Sequence, residues 1–299
     1  MLKLALGPIL YYWPRATVFQ FYETIAASAV EIVYLGEAVC SRRHELRLAD
    51  WLAIADLLAV AGKEVVLSTQ VLIESGSELA SLRRIVDNGR HAIEANDMGA
   101  VHCLQGGAPF VAGPHLNLYN GPALELLAGF GAKRWVMPLE MGHQELARMQ
   151  QERPAGIETE VFAYGRMPLA FSARCFTARH RNLPKDDCRF SCLEHPDGLL
   201  LQTREKAPFL VLNGTQTQSA LVYNLVHELA RMQALGVDVA RISPQERDTQ
   251  HIIDTFDRVR RLDLAPDQAS AHMQPWLPAE ACDGYWHGKP GFERHGALH

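Results

Sequence analysis

The sequence has no apolar run of about 18 residues, the length that a membrane-crossing helix needs. Its most apolar helical stretch, WLAIADLLAVAG at 51–62, stops well short of that and reads as a buried helix. Nor is there an excess of basic charge. With 29 Lys and Arg against 34 Asp and Glu, the net charge is −5, which gives no general reason to expect nucleic acid or an anionic membrane as partner. No clean secretory signal is present, because the apolar start MLKLALGPILYYWPRATVF is cut by Gly7 and Pro8 without a small-residue cleavage site. No glycine-rich phosphate fingerprint follows a predicted strand, which weighs against a dinucleotide-binding sheet. His-Glu-x-x-His and Gly-x-Ser-x-Gly are both absent, so the usual zinc-protease and α/β-hydrolase signatures are missing. There is no internal repeat and no low-complexity segment.

What is present is an ordinary globular composition. Of 299 residues, 48% are apolar and 21% charged, enough to bury a full core without disulfides. A reducing cytoplasm is the expected compartment, and there a cysteine cluster more often binds metal or does redox chemistry than forms disulfides.

Short β-rich runs alternate with helical patterns. The strand candidates are 3–9, 31–37, 64–70, 91–97, 109–113, 134–140, 157–165, 209–214 and 238–244. Helices are predicted from about Glu45 to Ala61, over ESGSELASLRRIVDNG with a serine cap and a stop at Gly89, and at 142–151, 216–235 and 248–262. Near-continuously apolar strands between amphipathic helices imply a parallel sheet covered on both faces. About eight such units point to a (β/α)8 TIM-like barrel, with irregularity allowed, and an open doubly wound sheet is the runner-up. The expected layout is a barrel domain over 1–262, which includes a cysteine-bearing insertion at 165–208 that breaks the alternation. An irregular tail, 263–299, is expected to pack on the barrel; its Trp276, Tyr285 and Trp286 are read as packing residues.

Three of the six cysteines fall in RCFTARHRNLPKDDCRFSC, 174–192, as Cys175, Cys188 and Cys192 in a C-x12-C-x3-C spacing. Three thiolates need a fourth ligand to complete a tetrahedral zinc site or an iron–sulfur cubane. Cys40 follows the second strand, on the barrel face where the 165–208 loop also emerges, and is the best placed. Cys103 also follows a strand and stays a competitor, while Cys282 lies in the tail. Arg174, Arg179, Arg181, Lys185 and Arg189 surround the three thiols, and Arg42 and Arg43 follow Cys40, so positive charge is available to an anionic centre. Charge does not separate zinc from iron–sulfur. Spacing favours iron–sulfur modestly, since only Cys188–Cys192 resembles a zinc knuckle. Unrelated buried cysteines are the plain alternative.

Further polar residues fall at strand ends: Glu37, Thr69, Gln70, Asn96, Asp97, His115, Asn117, Asn120, Glu140 and His143. Glu37, Asn96, Asp97 and Glu140 are the candidates for orienting a phenolic ring and moving its proton. Turn formation explains Asn, Asp and Gly there equally well.

GEAVCSRRHEL, DWLAIADLLAVAGKEVVLSTQ, ESGSELASLRRIVDNG, the cysteine loop and ACDGYWHGKPG together resemble the UbiV family, over essentially the whole chain. These are bacterial ubiquinone-biosynthesis proteins within the collagenase-like peptidase superfamily. The resemblance implies an oxygen-sensitive 4Fe–4S cluster on Cys40, Cys175, Cys188 and Cys192. It also implies a heterodimer with a homologous UbiU-type partner and dioxygen-independent hydroxylation of the aromatic ring of a quinone precursor. A collagenase-like hydrolase with a cysteine or metal-bound water as attacking group, and a cluster-bearing scaffold without catalysis, are the alternatives.

Overall fold

Short aliphatic and β-branched runs such as IVYL and EVVLS recur along the chain, and each of these becomes a strand. In the computed structural model, which describes residues 1–295, the strands are β1 (Lys3–Leu6), β2 (Ile32–Leu35), β3 (Glu64–Ser68), β4 (Ala92–Ala95), β5 (Phe110–Ala112), β6 (Ala132–Val136), β7 (Glu158–Phe171), β8 (Leu199–Gln202), β9 (Pro208–Asn213), β10 (Gln216–Asn224), β11 (Val239–Ile242) and β12 (Ala281–Cys282). The helices are α1 (Arg15–Ala26), α2 (Leu48–Val60), α3 (Gly76–Val86), α4 (Met98–Leu104), α5 (Gly121–Gly129), α6 (His143–Glu152), α7 (Phe176–His180), α8 (Leu229–Ala234), α9 (Thr249–Arg260) and α10 (Pro266–Met273).

Strands β1 to β7 pair in parallel, each with the next. β11 pairs in parallel with both β7 and β1, which closes an eight-stranded barrel with helices outside. This is the expected TIM-like architecture. Helix boundaries follow local chemistry. Ser75 caps α3 by accepting from the Glu78 N–H at 3.3 Å while Glu78 reaches back to the Ser75 N–H at 2.9 Å, a capping box.

Two expectations need correction. Residues 216–235 form no single helix: they make β10 and then the short helix α8. The run 209–214 is a strand but stands outside the barrel. β7 continues beyond the barrel rim and pairs antiparallel with β10, which pairs with β9, which pairs with β8. This four-stranded flap is the reason the alternation breaks. Partner strands on both sides hold β10 extended, and that pairing outweighs the helical spacing of its apolar residues.

The tail is more ordered than its composition implied. It supplies α10 and β12, and β12 pairs with β10. Trp286 is fully buried, and Trp276 stacks on His251 with ring centroids 4.6 Å apart. Residues 296–299, the end of the predicted tail segment, lie outside the described residues.

The barrel lumen is packed, with Ala5, Ile32, Tyr34, Val66, Val111, Val136 and Val239 as one apolar cluster. Charge shares that space. Arg241 pairs with Glu160 at 2.5 Å and Glu94 at 2.7 Å, and its guanidinium lies 3.9 Å from the Tyr34 ring centroid. Arg134, nearer the opposite end, pairs with Glu158 at 2.5 Å and Glu64 at 3.0 Å and donates to the Tyr34 hydroxyl at 3.2 Å. Each buried charge therefore meets an opposite one, the condition under which burial of ions is tolerated.

Candidate metal centre

The cysteine segment hangs from the flap. Where β7 ends, Ser172 N–H donates to Thr215 O at 2.9 Å and Phe176 N–H to Gly214 O at 2.8 Å, fixing the start of the loop on the β9–β10 turn. Gly214 has φ +66, the positive value that the first central position of a tight hairpin turn takes. Cys175 sits at the N-terminus of α7, and its Sγ accepts from the Ala178 N–H at 3.4 Å. Between Cys188 and Cys192, Arg189 and Phe190 both take left-handed backbone, φ 49 and 52. Two consecutive side-chain-bearing residues there cost about 1–2 kcal/mol each. The resulting turn places Ser191 N–H on Cys188 O at 3.2 Å, and the Phe190 ring packs near Tyr12, centroids 6.0 Å apart.

Cys40 arrives from the other side. After β2 the chain passes Gly36, φ +129, where a Cβ would lie 2.7 Å from Ser68 O, so only glycine fits. Glu37 accepts from the N–H groups of Val39 and Cys40, both at 3.0 Å, and shapes the turn that presents Cys40. Arg43 then ties this turn to the flap. It donates to Leu10 O and to Asn213 Oδ1, each at 2.7 Å, while Thr215 Oγ1 donates to Val39 O at 2.8 Å.

These two segments enclose one small pocket, lined by Cys40, Cys175, Cys188 and Cys192 together with Arg42 and Arg43. The free space is about 10 Å³, room for about one water. Burial pushes the Cys40 thiol up to about 11 and raises Cys192 as well, with Arg43 opposing both shifts. Such thiols are protonated at neutral pH unless a metal cation displaces the protons. The Nε atoms of Arg42 and Arg43 are buried beside them without an acceptor among the described residues. Four soft sulfur donors and two guanidinium N–H groups in want of an acceptor are a donor set suited to an anionic metal–thiolate centre.

The other cysteines lie elsewhere. Cys103 is on α4, packed at the edge of the core, and Cys282 is buried in β12. The cations expected around the thiols need a correction too. Arg174, Arg179, Arg181 and Arg189 are exposed, Lys185 pairs with Glu74, and none of the five lines the pocket. Arg42 and Arg43 do. A basic residue's neighbours in sequence do not say which way its long side chain turns.

The strand-end candidates separate into different roles. Glu37 supports the Cys40 turn. Asn96 is buried, donating to Thr69 O at 3.1 Å and to Glu94 Oε2 at 3.2 Å, with its own Oδ1 unpaired. Asp97 caps α4 by accepting from the Gly99 N–H at 2.6 Å. Glu140 is exposed and accepts from the Tyr119 hydroxyl at 2.8 Å. His115 faces Glu94 and Arg241 at the barrel mouth, and burial pushes its imidazole down to about 4. Asn120 caps α5 and Asn117 takes a left-handed turn conformation, the plain roles foreseen for such residues.

Beside the pocket a much larger cavity, about 1100 Å³, opens between α2 and α3 over the ends of β2 and β3. Leu35, Leu67, Trp51, Leu52, Leu82 and Ile85 supply apolar lining. Arg42 lines both cavities. Glu37 and Gln70, two of the strand-end residues singled out in the sequence, also line it, whereas its apolar walls were not foreseen because the helices that splay to form them are separated along the chain.

The fold and this centre together define a class: closed parallel barrels that carry a cysteine-lined pocket on a flap at the C-terminal rim. Peptidase family U32 matches residues 18–292, and the chain belongs to that family. A curated relative, the tRNA hydroxylation protein P1 of Bacillus subtilis (strain 168), is 23% identical over 198 residues, 59% of this chain and 45% of that protein. The match thus spans less than half of that relative's length. Among solved structures, the U32 peptidase Mk0906 aligns with TM-score 0.47 and 12% identity, over 82% of this chain and 93% of that one. The HPPK-DHPS of Plasmodium falciparum aligns with TM-score 0.44 and 10% identity, over 89% of this chain and 47% of that one. Among the described residues no helix is long and apolar enough to cross a membrane.

Proposed function

We propose that Cys40, Cys175, Cys188 and Cys192 hold a 4Fe–4S cluster in a cytoplasmic protein. The chain would then be the iron–sulfur subunit of a dioxygen-independent hydroxylase. Its substrate is the aromatic ring of a ubiquinone precursor, and it works as a heterodimer with a homologous UbiU-type protein. The observation that carries the reading is the convergence of four thiols from two distant segments on one pocket, with the guanidinium of Arg43 inside. Family membership and a relative named for tRNA hydroxylation support hydroxylation as the reaction class. When bound, a cluster with four protein ligands supplies electron transfer. The chain's own residues hold it in place: Arg43 balances thiolate charge, the Ala178 N–H donates to Cys175, and Glu37 fixes the Cys40 turn.

The 1100 Å³ cavity lies just above the usual size range of small-molecule sites. Its apolar lining and the shared Arg42 make it the natural place on this chain for a greasy aromatic precursor. A hydrolase has less support, since burial raises the Cys40 and Cys192 thiols, the opposite of what an attacking thiolate needs.

One observation favours a second reading. Free space of about 10 Å³ suits a single ion better than a cubane, so structural zinc is the competitor. Purification under nitrogen separates the two. A brown protein with near-stoichiometric iron and sulfide, bleached by Cys175→Ser, supports the cluster; a colourless protein with one zinc on the same thiols overturns it.

A further inference from the structure

Away from the cysteines, the turn after β10 and the tail bring two imidazoles and two carboxylates together on the outer wall of the barrel. His227 Nε2 lies 3.3 Å from Asp283 Oδ2 and 3.8 Å from Glu228 Oε1. His287 Nε2 lies 3.7 Å from the same Asp283 oxygen and 3.8 Å from the same Glu228 oxygen. Donors around a tetrahedral divalent ion at about 2.0–2.1 Å are about 3.3–3.4 Å from one another. The four imidazole–carboxylate distances stand close to that spacing, and the donor atoms of His227, Glu228 and His287 all lie within 4.8 Å of one another.

The orientation of each donor supports the same reading. Both Nε2 atoms are buried and make no hydrogen bond among the described residues. The second oxygen of each carboxylate is occupied elsewhere. Glu228 Oε2 accepts from Trp286 Nε1 at 2.8 Å and pairs with Arg231 Nε at 3.2 Å, and Asp283 Oδ1 accepts from the His295 N–H at 2.6 Å. Held this way, Oε1 and Oδ2 are the atoms turned to the imidazoles, the pattern in which outer partners orient metal ligands.

We propose that His227, Glu228, Asp283 and His287 form a closed four-ligand site for a divalent transition-metal ion, zinc foremost. Two imidazoles and two carboxylates are borderline-to-hard donors that suit zinc, and four protein ligands leave no open position, so the ion is structural. It clasps the tail, through Asp283 and His287, to the chain just after β10, and thereby supports the flap strand that bears on the cysteine pocket.

The test uses the full-length chain, purified without oxygen, stripped of loosely bound metal and titrated with Zn(II) or Co(II). One equivalent of zinc is expected beyond any metal on the cysteines, with Tm raised by about 4 °C at a hundredfold excess over Kd. Cobalt in this site should give weak visible bands without the intense near-ultraviolet absorption of a cobalt–thiolate. The double variant His227→Gln, His287→Gln should lose that equivalent and the Tm response, whereas Cys40→Ser with Cys175→Ser should keep both. The proposal is overturned if the double variant retains the zinc, if the cysteine variant loses it, or if no equivalent binds. Should the histidine variant fail to fold, the cobalt spectrum of the Cys40→Ser, Cys175→Ser variant decides: weak visible bands without thiolate absorption support the proposal, and their absence overturns it. The outcome is independent of whether the cysteines hold iron.

Discussion

The guanidinium of Arg43 donates to Asn213 Oδ1 at 2.7 Å, joining buried side chains 170 residues apart. Asn213 in turn donates to Leu10 O at 2.8 Å, the same carbonyl that Arg43 reaches. This bond locks the Cys40 turn to the β9–β10 hairpin, on whose turn the loop bearing the other three thiols is anchored. Arg43→Ala leaves Glu37, Leu10 O and Asn213 Oδ1 without their cation and is expected to cost about 3 kcal/mol or more. Arg43→Lys, a point charge without the planar fork, should recover only part of that. Urea denaturation measures the loss, and the metal content of the same preparations should fall in parallel.

Cysteine replacement separates the pocket from the bystanders. Cys40→Ser, Cys175→Ser, Cys188→Ser and Cys192→Ser should each abolish the metal held in the cysteine pocket. Cys103→Ser and Cys282→Ala should leave it in place, since Cys103 lies on α4 and Cys282 in β12. Metal analysis of the six proteins is the measurement; retention by Cys40→Ser would disconnect the two segments chemically.

Inside the barrel, Arg241 bridges Glu94 and Glu160; Glu160 also meets Arg134 Nε at 3.8 Å, whereas Arg241 is the one cation paired with Glu94 among the described residues. Arg241→Met strands Glu94 and leaves Glu160 with only its longer contact to Arg134, and should cost about 3–5 kcal/mol. Adding Glu160→Gln and Glu94→Gln to the same chain should restore much of the stability, because neutral amides need no counter-charge. Midpoints of chemical unfolding for the single and triple variants give the comparison.

The half-buried His115 imidazole is held neutral, pushed down to about 4 against 6.5 for the free side chain. Between those values the unfolded chain binds the proton and the folded one does not. Its contribution to stability is therefore complete above about pH 6.5 and is lost as pH falls toward 4. His115→Gln should flatten the fall in stability across that window relative to the unaltered chain. Unfolding midpoints from pH 7 to 4.5 read this out, and identical slopes for the two proteins would place the acid sensitivity elsewhere.

Much of this molecule was legible before any coordinates. The apolar runs at β2, β3, β6 and β11 and the intervening helical periods announced a parallel barrel, because burial on both faces leaves near-continuous hydrophobicity. Ser75 and Glu78 announced the start of α3, since capping is settled within one helical turn. The turn roles of Asp97 and Asn120 were equally local. Residues 216–235 misled because helical spacing there competes with pairing to β7 and β9, which are distant in sequence. The five loop cations misled for a related reason: proximity along the chain carries no direction for a side chain with four rotatable bonds.

By itself, then, the sequence determined the strand and helix alternation, the helix caps and the spacing of three thiols, all set by patterns within a few residues. Tertiary structure decided that Cys40 joins those three, that Arg43 is the buried cation beside them, and that His227 and Glu228 meet Asp283 and His287. The physical reason is one of range. Periodicity and capping are short-range and written in neighbouring residues, whereas side chains from remote segments meet only after the barrel has closed and its flap has paired.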